Sequence, residues 1–231
     1  KFGREITVEK RPPMDVTVPI LKPDLYENET RPVFIEALNS GDGNRLFDFF
    51  VERIKNWDYN ALRWSISRAG LRARSQTKYL TPVIEALTKV LDRHFPLGDK
   101  KRSALVRVVM DELNLIFRSL PKVTETDRIG NYALVDFDTR KGLRPPLSVE
   151  RTLVIDASNF EPEGDLCDSV LLGDAYKLGW RRFMLFDLRG QRFEGCGFGP
   201  RTDDVRIDLY GSSGDYVASG IDGMEIHIHG N

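Results

Sequence analysis

Three segments near the C-terminus, MLFDLRG, VRIDLYG and MEIHIHG, each close on a glycine, at Gly190, Gly211 and Gly230. The glycines lie 21 and 19 residues apart. A strand-like unit returning at a period of about 20 residues constrains the fold more than any other feature here, because such a unit cannot bury its apolar side alone and must stack on its neighbours. Aligned on the glycines, Met184, Phe186 and Leu188 fall in columns with Val205, Ile207 and Leu209, and with Met224, Ile226 and Ile228, all of them apolar. The alternate columns hold Leu185, Asp187 and Arg189, then Arg206, Asp208 and Tyr210, then Glu225, His227 and His229, and all but Leu185 carry a polar group. Side chains alternate faces along a strand, so the pattern predicts parallel, in-register strands at 183–189, 205–210 and 224–229, with one face in the core and the other exposed. Gly195, Gly197, Gly199, Gly214, Gly220 and Gly223 populate the turns between them, where tight corners favour a residue without a Cβ.

The rest of the chain has a different character. Residues 1–32 hold Pro12, Pro13, Pro19, Pro23 and Pro32, which argues against a long helix and for an extended arm, with Val16, Val18 and Ile20 alternating as in a short strand. Residues 33–120 read as a helical domain. Leu46, Phe47, Phe50, Val51 and Ile54 recur at helical spacing, as do Val83, Ile84, Leu87, Val90 and Leu91, and Leu105, Val108, Val109, Leu113, Ile116 and Phe117. A further helix over 60–69 is expected to stop at Gly70. Thr81-Pro82 and Asp99 read as helix starts. Residues 121–149 form a turn-rich connector in which LVDFD, 134–138, is a possible strand. Residues 150–231 open with the strand-like RTLVID, and a helix over 166–178 is expected to cover it. The fold class expected is therefore α+β, a helical domain followed by the first rungs of a parallel β-solenoid.

Charge divides along the same line. Residues 41–118 carry 15 Lys and Arg against 9 Asp and Glu, whereas residues 150–231 carry 8 against 15. The whole chain has a net charge of −1, which argues against a general polyanion or nucleic-acid binder. The sharpest local feature is the stretch between Asp58 and Glu85. It holds Arg63, Arg68, Arg72, Arg74 and Lys78 and no acid, interleaved with Tyr59, Trp64 and Tyr79 and preceded by Trp57. Arginine and aromatic residues are enriched at protein interfaces, so these five cations are the candidate partner-docking residues. A solvated helix face over buried tryptophans is the alternative. No apolar run is long enough to span a membrane, and KFGREITVEKRPPM lacks the apolar stretch of a signal peptide, which points to the cytoplasm.

Candidate chemistry is sparse. Cys167 and Cys196 are far apart and no CxxC occurs, so a zinc or iron–sulfur site held by this chain alone is not expected. Histidines occur at 94, 227 and 229 only. His227 and His229, with Glu225, share one strand face at a spacing that can chelate a metal, but plain exposed alternation yields the same pattern. Gly195-Cys196-Gly197-Phe198-Gly199 lacks the following helix that a dinucleotide fingerprint requires. No GxSxG elbow is present around Ser212 and Ser213, and no spacing supports Cys196 as a nucleophile with His229. No catalytic, cofactor-binding or metal-binding residue is assigned.

GQRFEGCGFG, YGSSGDYVASGIDG and MEIHIHGN resemble the GXGXG domain of glutamate synthase large subunits, in its archaeal-type stand-alone form, and RTLVIDAS and WRRFMLFDLRGQR precede them in the family's order. The resemblance covers about residues 150–231 and extends to the formylmethanofuran dehydrogenase component that carries the same β-helix. It implies a right-handed β-helix with Gly190, Gly195, Gly211, Gly214, Gly220, Gly223 and Gly230 at its turns. It implies a non-catalytic scaffold for other subunits of an oxidoreductase complex, with flavin and iron–sulfur clusters in those partners and none in this chain. The family continues for several rungs beyond the position of Asn231, so the coil end is expected to be capped by more chain or by a partner. A stand-alone hydrolase or acyl-transfer enzyme, and an interaction module outside redox metabolism, are the other classes considered.

Overall fold

The structure is a computed structural model and describes residues 24–125, 127 and 130–230. Six α-helices and five strands follow in the order α1 (Asp24–Asn39), α2 (Gly43–Ile54), α3 (Tyr59–Ser75), α4 (Leu80–Asp92), α5 (Arg102–Arg118), β1 (Tyr132–Val135), β2 (Thr152–Asp156), α6 (Asp168–Lys177), β3 (Arg182–Gln191), β4 (Arg206–Ser213) and β5 (Glu225–His229). The arm's alternating Val16, Val18 and Ile20 lie outside the described residues. α1 begins within the proline-rich stretch and runs through Pro32.

All five strands form one parallel sheet in sequential order, β1-β2-β3-β4-β5. This corrects the α+β solenoid expected from the glycine period. The fold mixes helices with a single parallel sheet, and no β-helix is formed by the described residues. The face expected to be exposed is covered. Tyr132, Leu134, Val154, Phe186 and Tyr210 on that face share one core with Leu62, Val83, Leu87, Leu113 and Phe117 of the helices. The opposite face, with Leu153, Ile155, Phe183, Leu185, Ile207 and Leu209, packs on Leu172 of α6, Trp180 and the loops that join the strands. Burial on both faces explains why β1 and β2 are apolar throughout, as parallel strands between two layers must be.

The three glycine-ended segments are parallel neighbours, but their register differs from the glycine alignment. Ile207 does pair with Ile226, and Leu209 with Ile228. On the other side, however, Ile207 pairs with Phe183 rather than Phe186. A bulge at Asp187, whose φ of 56° is left-handed, then inserts one residue between the pairs Phe186↔Tyr210 and Leu188↔Gly211, and a second irregularity falls between Arg189 and Gln191. One extra residue reverses the facing of all that follow. Phe186 therefore enters the helical core and Leu188 the opposite one.

α4 crosses the helical face of the sheet. Thr81 Oγ1 bonds the Tyr132 hydroxyl on β1 (3.1 Å), Thr88 Oγ1 bonds the Tyr210 hydroxyl on β4 (2.9 Å), and Asp92 meets His229 on β5 (2.9 Å). From Thr81 to Asp92 a helix rises ~16 Å, close to the ~19 Å that separates the outer strands of a five-stranded sheet. α5 returns across the same face. Gly230 lies against its Met110 and Val106, and at its other end Arg118 reaches Asp156 at the end of β2 and Asp187 at the bulge.

Gly70 does not stop α3, which continues to Ser75. It is a packing position. A Cβ there would stand 1.8 Å from Glu112 Oε1 on α5, so the glycine leaves room for that carboxylate.

Candidate functional site

The basic and aromatic residues of the 58–85 stretch divide between surface and core. Arg63, Arg68 and Arg72 are exposed on the outer side of α3, and Lys78 is exposed in the turn after it. Arg68 lies over the Trp64 indole, 5.5 Å from its centroid, and Lys78 lies over the Tyr79 ring at 4.6 Å. Arg74 faces inward and forms a salt bridge with the buried Glu112. It therefore serves the α3–α5 contact, unlike the four exposed cations.

Arg68 and Arg72 line a groove between α1 and α3 with Arg31, Phe34, Trp64 and Leu71, with a volume of 190 Å³. Leu71 is 47% exposed there. Three guanidiniums around an indole and an uncovered leucine make a surface that is at once cationic and apolar. Arginine's planar fork suits carboxylates, and indole and leucine suit an apolar anchor beside them.

The second notable cluster is buried. His229 Nδ1 donates to Asp92 Oδ2 and Nε2 to Asp208 Oδ1, each at 2.9 Å. Arg206 closes on Asp208 with two further bonds of 2.9 and 2.8 Å. Both imidazole nitrogens face carboxylate oxygens, so the ring must donate from each and is held as imidazolium. Burial opposes that charge, but the hydrogen bonds from Asp208 and Asp92 outweigh it and raise the His229 pKa to about 9. Burial likewise opposes the Asp208 charge, and the bonds from His229 and Arg206 hold its carboxyl at about 2. The Tyr210 ring lies 4.6 Å from the imidazole. The network joins α4, β4 and β5. A cleft of 580 Å³ opens beside it, lined by Asp92, His94, Arg102, Arg107, Ile228 and Gly230 among others.

His227 and His229 are thus separated in role despite their shared face. The His227 ring is exposed, with Nε2 3.5 Å from Glu225, while His229 turns into the core. No group of three or more His, Cys, Asp or Glu suited to a metal is found among the described residues.

Two further carboxyls are buried on the opposite side of the sheet. Asp168, at the start of α6, accepts one bond at Oδ1 from the Ser169 N–H (3.1 Å), and its Oδ2 has no partner. Glu194 has none at either oxygen. Burial pushes each pKa up to about 7, and for Glu194 the Asp168 charge adds to the effect. Neither residue carries a sequence signal, because Asp168 follows Glu161, Glu163 and Asp165 in an acidic stretch and Glu194 stands alone in a glycine-rich loop.

Of the glycines expected at turns, Gly190 and Gly211 instead lie inside β3 and β4, and of the whole set Gly190, Gly195, Gly211, Gly220, Gly223 and Gly230 hold positive φ while Gly214 does not. Gly211 is required twice over, by its φ of 123° and because a Cβ would meet the Leu188 backbone at 2.9 Å. At Gly214 the demand is for space, since a Cβ would stand 2.5 Å from the Gly190 carbonyl oxygen. Cys167 is buried and Cys196 half-buried, with its Sγ donating to the Tyr216 carbonyl at 3.0 Å. No helix of the described residues is long and apolar enough to cross a membrane. No family model, no curated protein and no solved structure matches this chain.

Proposed function

We propose that this chain is a non-catalytic assembly subunit that docks on an acidic face of a partner through the groove between α1 and α3. The observation that carries the reading is that Arg31, Arg68 and Arg72 line one groove with Trp64 and the exposed Leu71, Arg68 lying over the Trp64 indole. A large apolar side chain ringed by cations is what a docking site for an acidic partner offers, with charge steering the approach and the apolar centre supplying affinity. The motif resemblance of residues 150–231 supports an oxidoreductase of the glutamate synthase kind as the setting. In that setting flavin and iron–sulfur clusters reside in the partner subunits, and the complex is cytoplasmic.

The test is purification of the native chain with its partners. Wild type should bring down subunits whose visible absorbance shows flavin or iron–sulfur cluster. Replacing Arg31, Arg68 and Arg72 with Glu should remove those subunits while the circular dichroism spectrum stays unchanged. Recovery of the same subunits at the wild-type level by the triple variant would overturn the docking site. Partners with no redox cofactor would overturn the oxidoreductase setting.

A further inference from the structure

The two edges of the sheet differ. Along the outer edge of β1, the Val123 N–H donates to the Leu134 carbonyl (2.7 Å) and the Leu134 N–H to the Pro121 carbonyl (2.8 Å), so residues 121–123 cover it. No segment of the described residues pairs with the outer edge of β5.

Which groups that edge offers follows from the ladder. The Glu225 N–H donates to the carbonyl of Val205, the residue immediately before β4. In a regular ladder alternate residues turn both backbone groups to the same neighbour. Residues 225, 227 and 229 therefore face β4, and Met224, Ile226 and Ile228 present their N–H and C=O outward. Ile228 is 43% exposed, although it is a large apolar residue inside a strand. An edge of this kind is a template for another strand.

We infer that a second copy of the chain occupies this edge, β5 pairing antiparallel with its symmetry mate about a two-fold axis at Ile226. The sequence of the strand selects this partner and this register. Read from Met224 to Ile228 it is apolar, acid, apolar, base, apolar, which is complementary to itself when reversed. With Ile226 opposite Ile226 of the mate, Met224 stands opposite Ile228, and the outward backbone groups of all three residues meet in hydrogen-bonded pairs. Glu225 then stands opposite His227 of the mate, twice, in the narrow non-hydrogen-bonded pairs where side chains lie closest. A shift of one residue in each copy, in either direction, sets Glu225 against Glu225 or His227 against His227. The self-complementary strand thus favours a two-fold interface, as homodimers commonly use, and joins two sheets into one of ten strands. This inference is independent of the α1–α3 groove and needs no other partner.

The experiment is sedimentation of the full chain, paired with cysteine cross-linking in a Cys196→Ser background. Wild type should show a concentration-dependent dimer. Glu225→Lys should raise its dissociation constant about tenfold, because each of two cross-strand pairs loses the carboxylate that meets the imidazole. Adding His227→Glu to that variant should restore the wild-type value. On mild oxidation, Glu225→Cys/His227→Cys should give a covalent dimer, whereas either single cysteine should not. A chain that stays monomeric up to about 1 mM would overturn the interface. So would efficient cross-linking by His227→Cys alone, or a charge swap that fails to rescue. Both exposed positions are outside the core, so the variants test pairing rather than folding.

Discussion

The two faces of the sheet treat buried charge in opposite ways. On the helical face, Asp208 is 6% exposed and His229 3%, yet each meets opposite charge at hydrogen-bond distance, and the aspartate pKa falls while the histidine pKa rises. On the other face, Asp168 and Glu194 are fully buried with three carboxyl oxygens unpartnered, and both pKa values rise to about 7. Burial is common to the four groups, so it cannot decide the sign. What decides it is whether the neighbouring element supplies a counter-charge. β5 brings His229 and β4 itself Arg206 to Asp208, while α6 and the loop around Gly195 bring none to Glu194.

The largest effect should come from breaking the paired side. Asp208→Ala leaves the buried His229 imidazolium with Asp92 as its one carboxylate partner and leaves Arg206 without its own. Removing one member of a buried ion pair costs about 3–5 kcal/mol, so denaturant unfolding should show a loss of that order. A loss below about 1 kcal/mol would mean that the network is not what fastens β5 to α4.

A smaller effect of opposite sign is expected on the unpaired side. Glu194 has a folded-state pKa above its ordinary value, so its folded form favours the proton, and stability declines as pH rises from the ordinary carboxylate range through about 7. Glu194→Gln removes that decline. The variant should be about 1–2 kcal/mol more stable than wild type at pH 8 and should show no such gain at pH 4. A destabilised Glu194→Gln chain at pH 8 would show that the ionised carboxylate has a counterpart after all.

The finest test separates the two limbs of the pH profile that the His229 network creates. His229 has a raised pKa, so its contribution is complete below the ordinary histidine range and is lost as pH rises through about 9. Asp208 has a lowered pKa, so its contribution is present above the ordinary carboxylate range and is lost as pH falls through about 2. His229→Gln should flatten the alkaline limb of the melting-temperature profile and leave a weaker acid limb, since Asp208 keeps Arg206. An unchanged alkaline limb would place the titrating group elsewhere.

Much of this arrangement was legible in the residues, and the failures are local. The apolar stripes of α2, α4 and α5 face the core as their spacing predicts, because a helix with one apolar side has one way to bury it. The parallel course of β3, β4 and β5 was legible from the glycine-ended repeats. Their register and architecture were not. Ile207 pairs with Phe183, three residues from its partner in the glycine alignment, and Asp187, in a left-handed φ that a non-glycine residue rarely holds, shifts the register by one residue within the strand. The polar columns looked solvent-facing because Asp208, Tyr210 and His229 are polar. Their partners, Asp92 and Thr88, lie more than a hundred residues away on α4, where no periodicity of the strands could reveal them. Arg74 shows the same limit within the candidate site. It sits in an unbroken run of exposed cations, and Glu112, which turns it inward, belongs to another helix.

The crossing of α4 over all five strands has a consequence for how the sheet obtained its width. One helical turn advances about 5.4 Å and one strand occupies about 4.8 Å, so turns and strands count nearly one for one. Thr81, Thr88 and Asp92 are graduations on this scale, read off at β1, β4 and β5. Were one turn removed from α4, the near end would still meet Tyr132, but the far end would fall a strand short and His229 would lose one of its two carboxylates. A turn added would carry Asp92 past β5, over ground where only a sixth strand could receive it. The breadth of the sheet is in this sense gauged by a helix, and the number of strands that one chain can cover is set by a length encoded far upstream of any of them.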